Sequence, residues 1–187
     1  MNVLLLAGVA SALLALVARF VSMQKKRREW KSFQTLRVVV DYDRPPEQLL
    51  ADGGYDMVYQ EIDSKFWREV QLQGAWFPIA GSGKREVEII LVDYGRAIES
   101  DEVIGDFASR SVRPADPFEI LTLGATYPDL QRHLRIVALG NSAFSPLDSP
   151  RNVLELISFS QGAQREVHLY KWSHWPPDGY RFACVAV

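Results

Sequence analysis

From Val3 to Ala18 the chain has no charged residue and only Ser11 as a polar one, and Phe20, Val21 and Met23 extend the run past Arg19. At ~1.5 Å per residue, about 20 such residues span a hydrocarbon core of ~30 Å. Apolar side chains occupy every helical face, so a helix lying on the bilayer surface, which needs one polar face, is a poor fit. A cleaved secretory signal fits less well, because no Lys or Arg precedes the run and no clear small-x-small site follows it. The sequence therefore predicts a retained transmembrane anchor over residues 1–23, with Arg19 near enough to the polar end to snorkel. Lys25, Lys26, Arg27 and Arg28 follow directly, within a basic juxtamembrane segment at 24–35, and would lie against anionic headgroups. Positive charge beside a span stays in the cytoplasm. The expectation is a single-pass protein of the inner (cytoplasmic) membrane whose C-terminal domain is cytoplasmic.

Charge is distributed unevenly. Residues 19–37 hold seven basic residues and one acidic, a local +6, which leaves −8 on residues 38–187 of a chain whose net charge is −2. An acidic body repels phosphate backbones, so nucleic-acid binding is disfavoured. Cys184 is the one cysteine, which excludes an internal disulfide framework and any multi-cysteine metal or iron–sulfur site.

Beyond the anchor, the β-branched run at 36–42 suits a strand, and Asp43 before Pro45 and Pro46 suits a helix N-cap, with the helix stopping at Gly53-Gly54. Residues 55–67 mix aromatic and acidic side chains without a period and read as strand or irregular chain. Gly81-Ser82-Gly83-Lys84 reads as a turn. A phosphate-cradling loop would need glycine where Pro78 stands and Ser or Thr where Arg85 stands. Residues 86–92 alternate and then run apolar, and Asp93-Tyr94-Gly95-Arg96 echoes Asp41-Tyr42-Asp43-Arg44 at the end of the earlier strand. Ser100 suits the cap of a helix bearing Val103, Ile104 and Phe107. Asp116-Pro117-Phe118-Glu119 is the strongest local signal, a cap, a first-turn proline and a glutamate three residues after the cap. Residues 128–134 suit one further turn. Strand-like runs follow at 136–140, 153–159, 165–172 and 180–187. Strands, helices and then more strands describe an α+β domain with a mainly antiparallel sheet.

The order of these segments resembles the C-type-lectin-like fold of bacterial formylglycine-generating-enzyme-like domains. Arg113–Glu119 stands where that family has its R-L-P-T-x-x-E helix start, and Tyr180–Val185 stands for its terminal Y-x-V-R-C-V strand. Leu139–Ala143 and Ile157–Gly162 resemble the middle strands and their Ser/Gly turn. The resemblance covers residues 86–187 and implies a C-type-lectin-like domain with two helices there, its first and last strands paired, with residues 36–85 as the N-terminal part of the soluble domain. The whole soluble region is also similar to uncharacterised membrane-anchored bacterial proteins, a likeness that implies no activity. Departures limit what carries over: formylglycine-generating enzymes use paired cysteines and copper, and calcium-dependent lectins use a Glu-Pro-Asn loop, neither of which occurs here.

His133, His168 and His174 have no metal-site spacing, there is no Gly-x-Ser-x-Gly elbow, and Cys184 in an apolar strand reads as a buried small hydrophobe. No cofactor or metal is expected. On the alternating strand that contains His168, Glu166 and Tyr170 share its face, and exposure is the simpler reading. The segment 170–180 is different, because it gathers Trp172, His174, Trp175, Asp178 and Tyr180 around a Pro-Pro-Asp-Gly turn. Rigid aromatics in a loop suit recognition of a protein or a small ligand. With Asn141 and Ser142 they form the candidate ligand-binding set, the plainer alternative being that the tryptophans cover the end of the core. The expected function is a membrane-anchored, non-catalytic binding module. The alternatives are an enzyme with a histidine-centred site in that loop, or a purely structural tethered scaffold.

Overall fold

The computed structural model describes residues 30–59, 81–143, 152–171 and 174–187. The expected span at 1–23 and the basic residues Lys25 to Arg28 lie outside the described residues. Among the described residues no helix is long and apolar enough to cross a membrane. Residues 31–187 form one unit.

Alternation builds the first ladder. β1 (Ser32–Asp41) pairs antiparallel along its whole length with β3 (Lys84–Asp93), Ser32 opposite Asp93 and Asp41 opposite Lys84. Val38 and Val40 point inward and are buried, whereas Phe33 and Val39 on the other face are 64% and 61% exposed. The strand starts four residues before the predicted one, so its first turn of sequence belongs to the sheet rather than to a juxtamembrane linker. In β3 the polar Glu86 and Glu88 face outward and Val87 and Ile89 inward, after which Leu91, Val92 and Asp93 are all buried. The change from alternating to continuous apolar sequence thus marks where the outer face of the sheet becomes covered.

The sheet order is β1-β3-β10-β6-β7-β8-β2, with β2 at Met57–Val58, β6 at Arg135–Ala143, β7 at Asn152–Phe159, β8 at Gln164–Lys171 and β10 at Tyr180–Ala186. The C-terminal strand β10 is therefore central. One edge of it pairs antiparallel with β3; the other is shared by β6, parallel, over residues 180–182 and by β5 (Val112–Pro114), antiparallel, over 184–186. The pairs β10–β6 and β2–β8 are parallel and the other ladders antiparallel, so the α+β, mainly antiparallel expectation holds.

Four helices are described: α1 (Pro46–Gly53), α2 (Ser100–Ser109), α3 (Pro117–Thr126) and α4 (Pro128–His133). The region 86–187 thus carries three rather than two, the turn at 128–134 being helical. The sheet curls around α3, which touches β1 and β3 on one side and β6 and β7 on the other. Phe118, Ile120, Leu121 and Leu123 fill the inner core together with Val38, Ile89, Leu154, Leu156 and Val167. The start of α3 is the predicted capping box: the Asp116 carboxylate accepts from Glu119 N at 3.0 Å and Glu119 Oε2 accepts from Asp116 N at 2.8 Å. α1 ends as read, with Gly54 left-handed at φ 55°. Its start differs, because Pro45 takes the N-cap position and Asp43 instead accepts from Gly83 N at 3.1 Å, tying the end of β1 to the start of β3. Ser100 likewise falls one residue inside α2, after Glu99.

The echoed tetrapeptides sit at opposite ends of the β1–β3 ladder. In each, the tyrosine hydroxyl donates to a buried carboxylate, Tyr42 to Glu119 Oε1 at 2.7 Å and Tyr94 to Asp106 Oδ2 at 2.8 Å. In each, the arginine pairs with an acid of the next helix, Arg44 with Asp52 and Arg96 with Glu102.

Candidate functional site

The aromatic segment is mostly interior. Trp175 is 0% exposed, its ring centroid 5.2 Å from Tyr170, 5.1 Å from Tyr180 and 5.7 Å from Phe182. Its indole N–H donates to Ser100 Oγ at 2.7 Å. A two-stranded ladder of β4 (Ile98–Glu99) and β9 (His174–Trp175) sets that geometry, with Ile98 opposite Trp175 and Glu99 opposite His174. Trp175 therefore fastens the start of α2 to the outer face of the sheet at Phe182. Tyr180, 7% exposed, lies beneath the Arg135 guanidinium, 4.6 Å from its ring centroid. Both rings are buried, and for Trp175 this accords with the plainer reading, in which the tryptophans cover the end of the core. His174 and Asp178 are exposed, and His174 Nδ1 lies 2.7 Å from Glu99 Oε1. Trp172 lies outside the described residues. Asn141 and Ser142 are placed in β6, their side chains outside the described residues.

The register assembles a different group on the outer face of β6, β7 and β8. Glu155 on β7 is directly opposite His168 on β8 and Val137 on β6. Glu155 Oε1 accepts from Arg135 Nε at 2.8 Å, and Glu166 Oε2 lies 2.6 Å from His168 Nε2. The side chains of Glu155 and Glu166 are 1% and 7% exposed, those of Arg135 and His168 38% and 23%. Burial pushes the Glu155 carboxyl above its ordinary range, while the charge and hydrogen bond of Arg135 and the nearby His168 pull it back. Glu155 Oε2 is buried and has no hydrogen-bond partner among the described residues. Rings stand around this strip: Tyr59 and Phe159 have centroids 5.7 and 5.8 Å from that of His168, and Tyr59, Phe159 and Tyr170 are 39%, 45% and 39% exposed. The result is a line in which Arg135 and His168 alternate with the buried acids Glu155 and Glu166, rimmed by exposed aromatics. A carboxylate on one imidazole nitrogen fixes the tautomer, so the Glu166–His168 pair could also hold a proton in place.

The remaining buried ionisable groups are structural. Glu119, fully buried, accepts from Tyr42 Oη and from both terminal nitrogens of Arg113, at 2.9 and 2.5 Å. A cavity of about 490 Å³ opens beside this network, lined in part by Tyr42, Arg85, Val87, Arg113 and Val185. Glu119 already takes up the Arg113 fork, so that guanidinium is not open to a carboxylate or phosphate ligand there. Arg165 on β8, 5% exposed, donates to Gly53 O and Gly124 O, both at 2.7 Å, and so places a cation at the carbonyl ends of α1 and α3. Among the described residues no group of three or more His, Cys, Asp or Glu could hold a metal ion.

Cys184 is fully buried in β10, and burial pushes its thiol up to about 12. At pH 8 only about one molecule in 10⁴ would then be thiolate, so maleimide is expected to leave the folded protein unlabelled and to react once it is unfolded. Tyr42, Tyr55 and Tyr180 are shifted upward by burial as well. All four are acids that the fold keeps neutral, and the unfolded chain gives up these protons nearer the ordinary values of 9.0 and 10.0. The stabilisation is complete below those values and is lost as pH rises through them. Urea midpoints are therefore expected to be level from pH 7 to 8.5 and to fall above about pH 9.

The outer-face strip escaped the sequence because its members alternate with apolar residues in β8 and read as a solvated face. The covering of Glu155 and Glu166 comes from non-adjacent elements. One signal was present: Glu155 is the single charged residue within the apolar run 153–159, where an unpaired acid would not be tolerated. Comparison with protein-family models, with curated proteins and with solved structures finds no match to this chain.

Proposed function

We propose that this chain is a membrane-anchored binding module that recognises a partner through the outer face of β7 and β8. The observation that carries this reading is the set of solvent-facing rings of Tyr59, Phe159 and Tyr170 around the part-buried Glu166–His168 pair. Exposed aromatics over desolvated charge are the composition of recognition surfaces, whereas an inert scaffold has no need of either. The pairing of β3 with β10 accords with the lectin-like likeness, and the binding reading does not depend on it.

Photo-crosslinking tests the surface. Benzoylphenylalanine in place of Phe159, in membranes of the producing cell, is expected to give a discrete adduct that Tyr170→Ala removes. The same reporter in place of Phe33 on β1 should give a pattern indifferent to Tyr170→Ala. No adduct from position 159, or one that survives Tyr170→Ala, would overturn the reading.

The anchor and a cytoplasmic body belong to the same proposal, supported by the apolar run and the basic cluster after it. Because Cys184 is silent, an Asp178→Cys variant reports the compartment of an exposed turn. A membrane-impermeant maleimide is expected to label it only after the inner membrane is breached. Labelling once the outer barrier alone is opened would place the body outside.

A further inference from the structure

We infer that the ligand of this strip is an aliphatic cation, the ammonium or guanidinium head of a basic side chain on a partner protein; the inference rests on the binding-surface reading above. Three observations converge. The strip sets two carboxylates, Glu155 and Glu166, against the one guanidinium of Arg135 and the imidazole of His168. Glu155 Oε2 is buried without a hydrogen-bond partner among the described residues, which is the position a second N–H donor would satisfy. Tyr59 and Phe159 pack with ring centroids 5.7 and 5.8 Å from that of His168 and, with Tyr170 on the same strand face, are exposed; aromatic rings beside carboxylates attract a cation and shelter the methylenes behind it. An anion would meet the reverse of each condition. The −8 carried by residues 38–187 gives the same preference at longer range, steering a basic partner towards the domain.

Geometry assigns the parts. Of the two acids, Glu166 at 7% exposed lies nearer solvent than Glu155 at 1%, and it is paired with the 23%-exposed His168. An incoming cation would share the Glu166 carboxylate with His168 and take the unpartnered Oε2 of Glu155 as its second acceptor, Arg135 holding that carboxylate in place through Oε1. Phe159 and Tyr170 line the approach.

The full chain in phosphatidylcholine nanodiscs is to be titrated with an acetylated, amidated Gly-lysine-Gly peptide and its norleucine counterpart, followed by heteronuclear NMR. The expected result is saturable shifts at residues of β7 and β8, with the norleucine peptide at least about tenfold weaker. Glu166→Gln is expected to remove most of that difference, and the more conservative Tyr170→Leu to weaken the lysine peptide while leaving the folded spectrum in place. Norleucine binding as well as lysine would overturn the cation and leave the surface standing. Binding by neither peptide, or lysine shifts confined to other elements, would overturn the cation too, and the adduct at position 159 separately reports whether the surface itself fails. A Glu166→Gln protein that keeps the full lysine preference would overturn the assignment to this pair.

Discussion

The Trp175→Ala variant is expected to lose about 3–5 kcal/mol of stability, among the largest costs of any single truncation here. The indole is fully buried, touches three other rings and donates to Ser100 Oγ, so its removal opens a cavity and leaves a buried hydroxyl short of its donor. The start of α2 is tied to the sheet through this hydrogen bond, alongside Tyr94 to Asp106 and Arg96 to Glu102. Trp175→Phe keeps the ring contacts and loses the N–H, and is expected to cost about 1–2 kcal/mol. Urea unfolding of the full chain in detergent, followed by circular dichroism, separates these values. A Trp175→Ala protein as stable as the wild type, but deficient in partner binding, would return this tryptophan to the recognition surface and sink the core assignment.

The second large effect belongs to Glu119. Its carboxylate is 0% exposed and holds Tyr42, Arg113 and the backbone N–H of Asp116. Glu119→Ala is expected to cost about 3–5 kcal/mol, because it strands the guanidinium of Arg113 and removes the side-chain half of the capping box of the central helix in one step. The cost should not be the pair's net worth. Arg113→Met combined with Glu119→Leu is expected to recover a substantial part of it, since apolar replacement of a buried ion pair is often tolerated. Additive losses in that double variant would show that the pair acts through the cap and not through its charge.

The fates of Glu119 and Trp175 show what the sequence makes legible. The capping box, the proline-led helix starts, Gly54 and the alternation of β1 and β3 are local, decided within a few residues, and were readable. So was the burial of Cys184, set among Phe182, Val185 and Ala183. What escaped depends on distant partners. Trp175 is interior because Ser100, 75 residues away, supplies its acceptor. Glu155 is interior because Arg135 arrives from another strand, and its companions Glu166 and His168 follow a period of two that ordinarily marks a wet face. The parallel seam between β10 and β6 is equally non-local, and no hairpin signal announces it. Asp43 and Ser100 were misplaced as caps for a related reason, since each side chain found a tertiary partner, Gly83 and Trp175 respectively.

The central place of β10 governs when the domain can form during synthesis. Every other element of the sheet precedes it in the chain, yet β3 joins the β6–β7–β8 side of the sheet only through it. Until that strand is released, the nascent chain consists of a β1–β3 pair on one side and a β6–β7–β8 meander on the other, each with an open hydrogen-bonding edge. Closure of the sheet is thus postponed until β10 has emerged. The half-made sheets would meanwhile be substrates for holding chaperones, and a ribosome stalled just short of Tyr180 would leave the chain sensitive to protease along almost its whole soluble length.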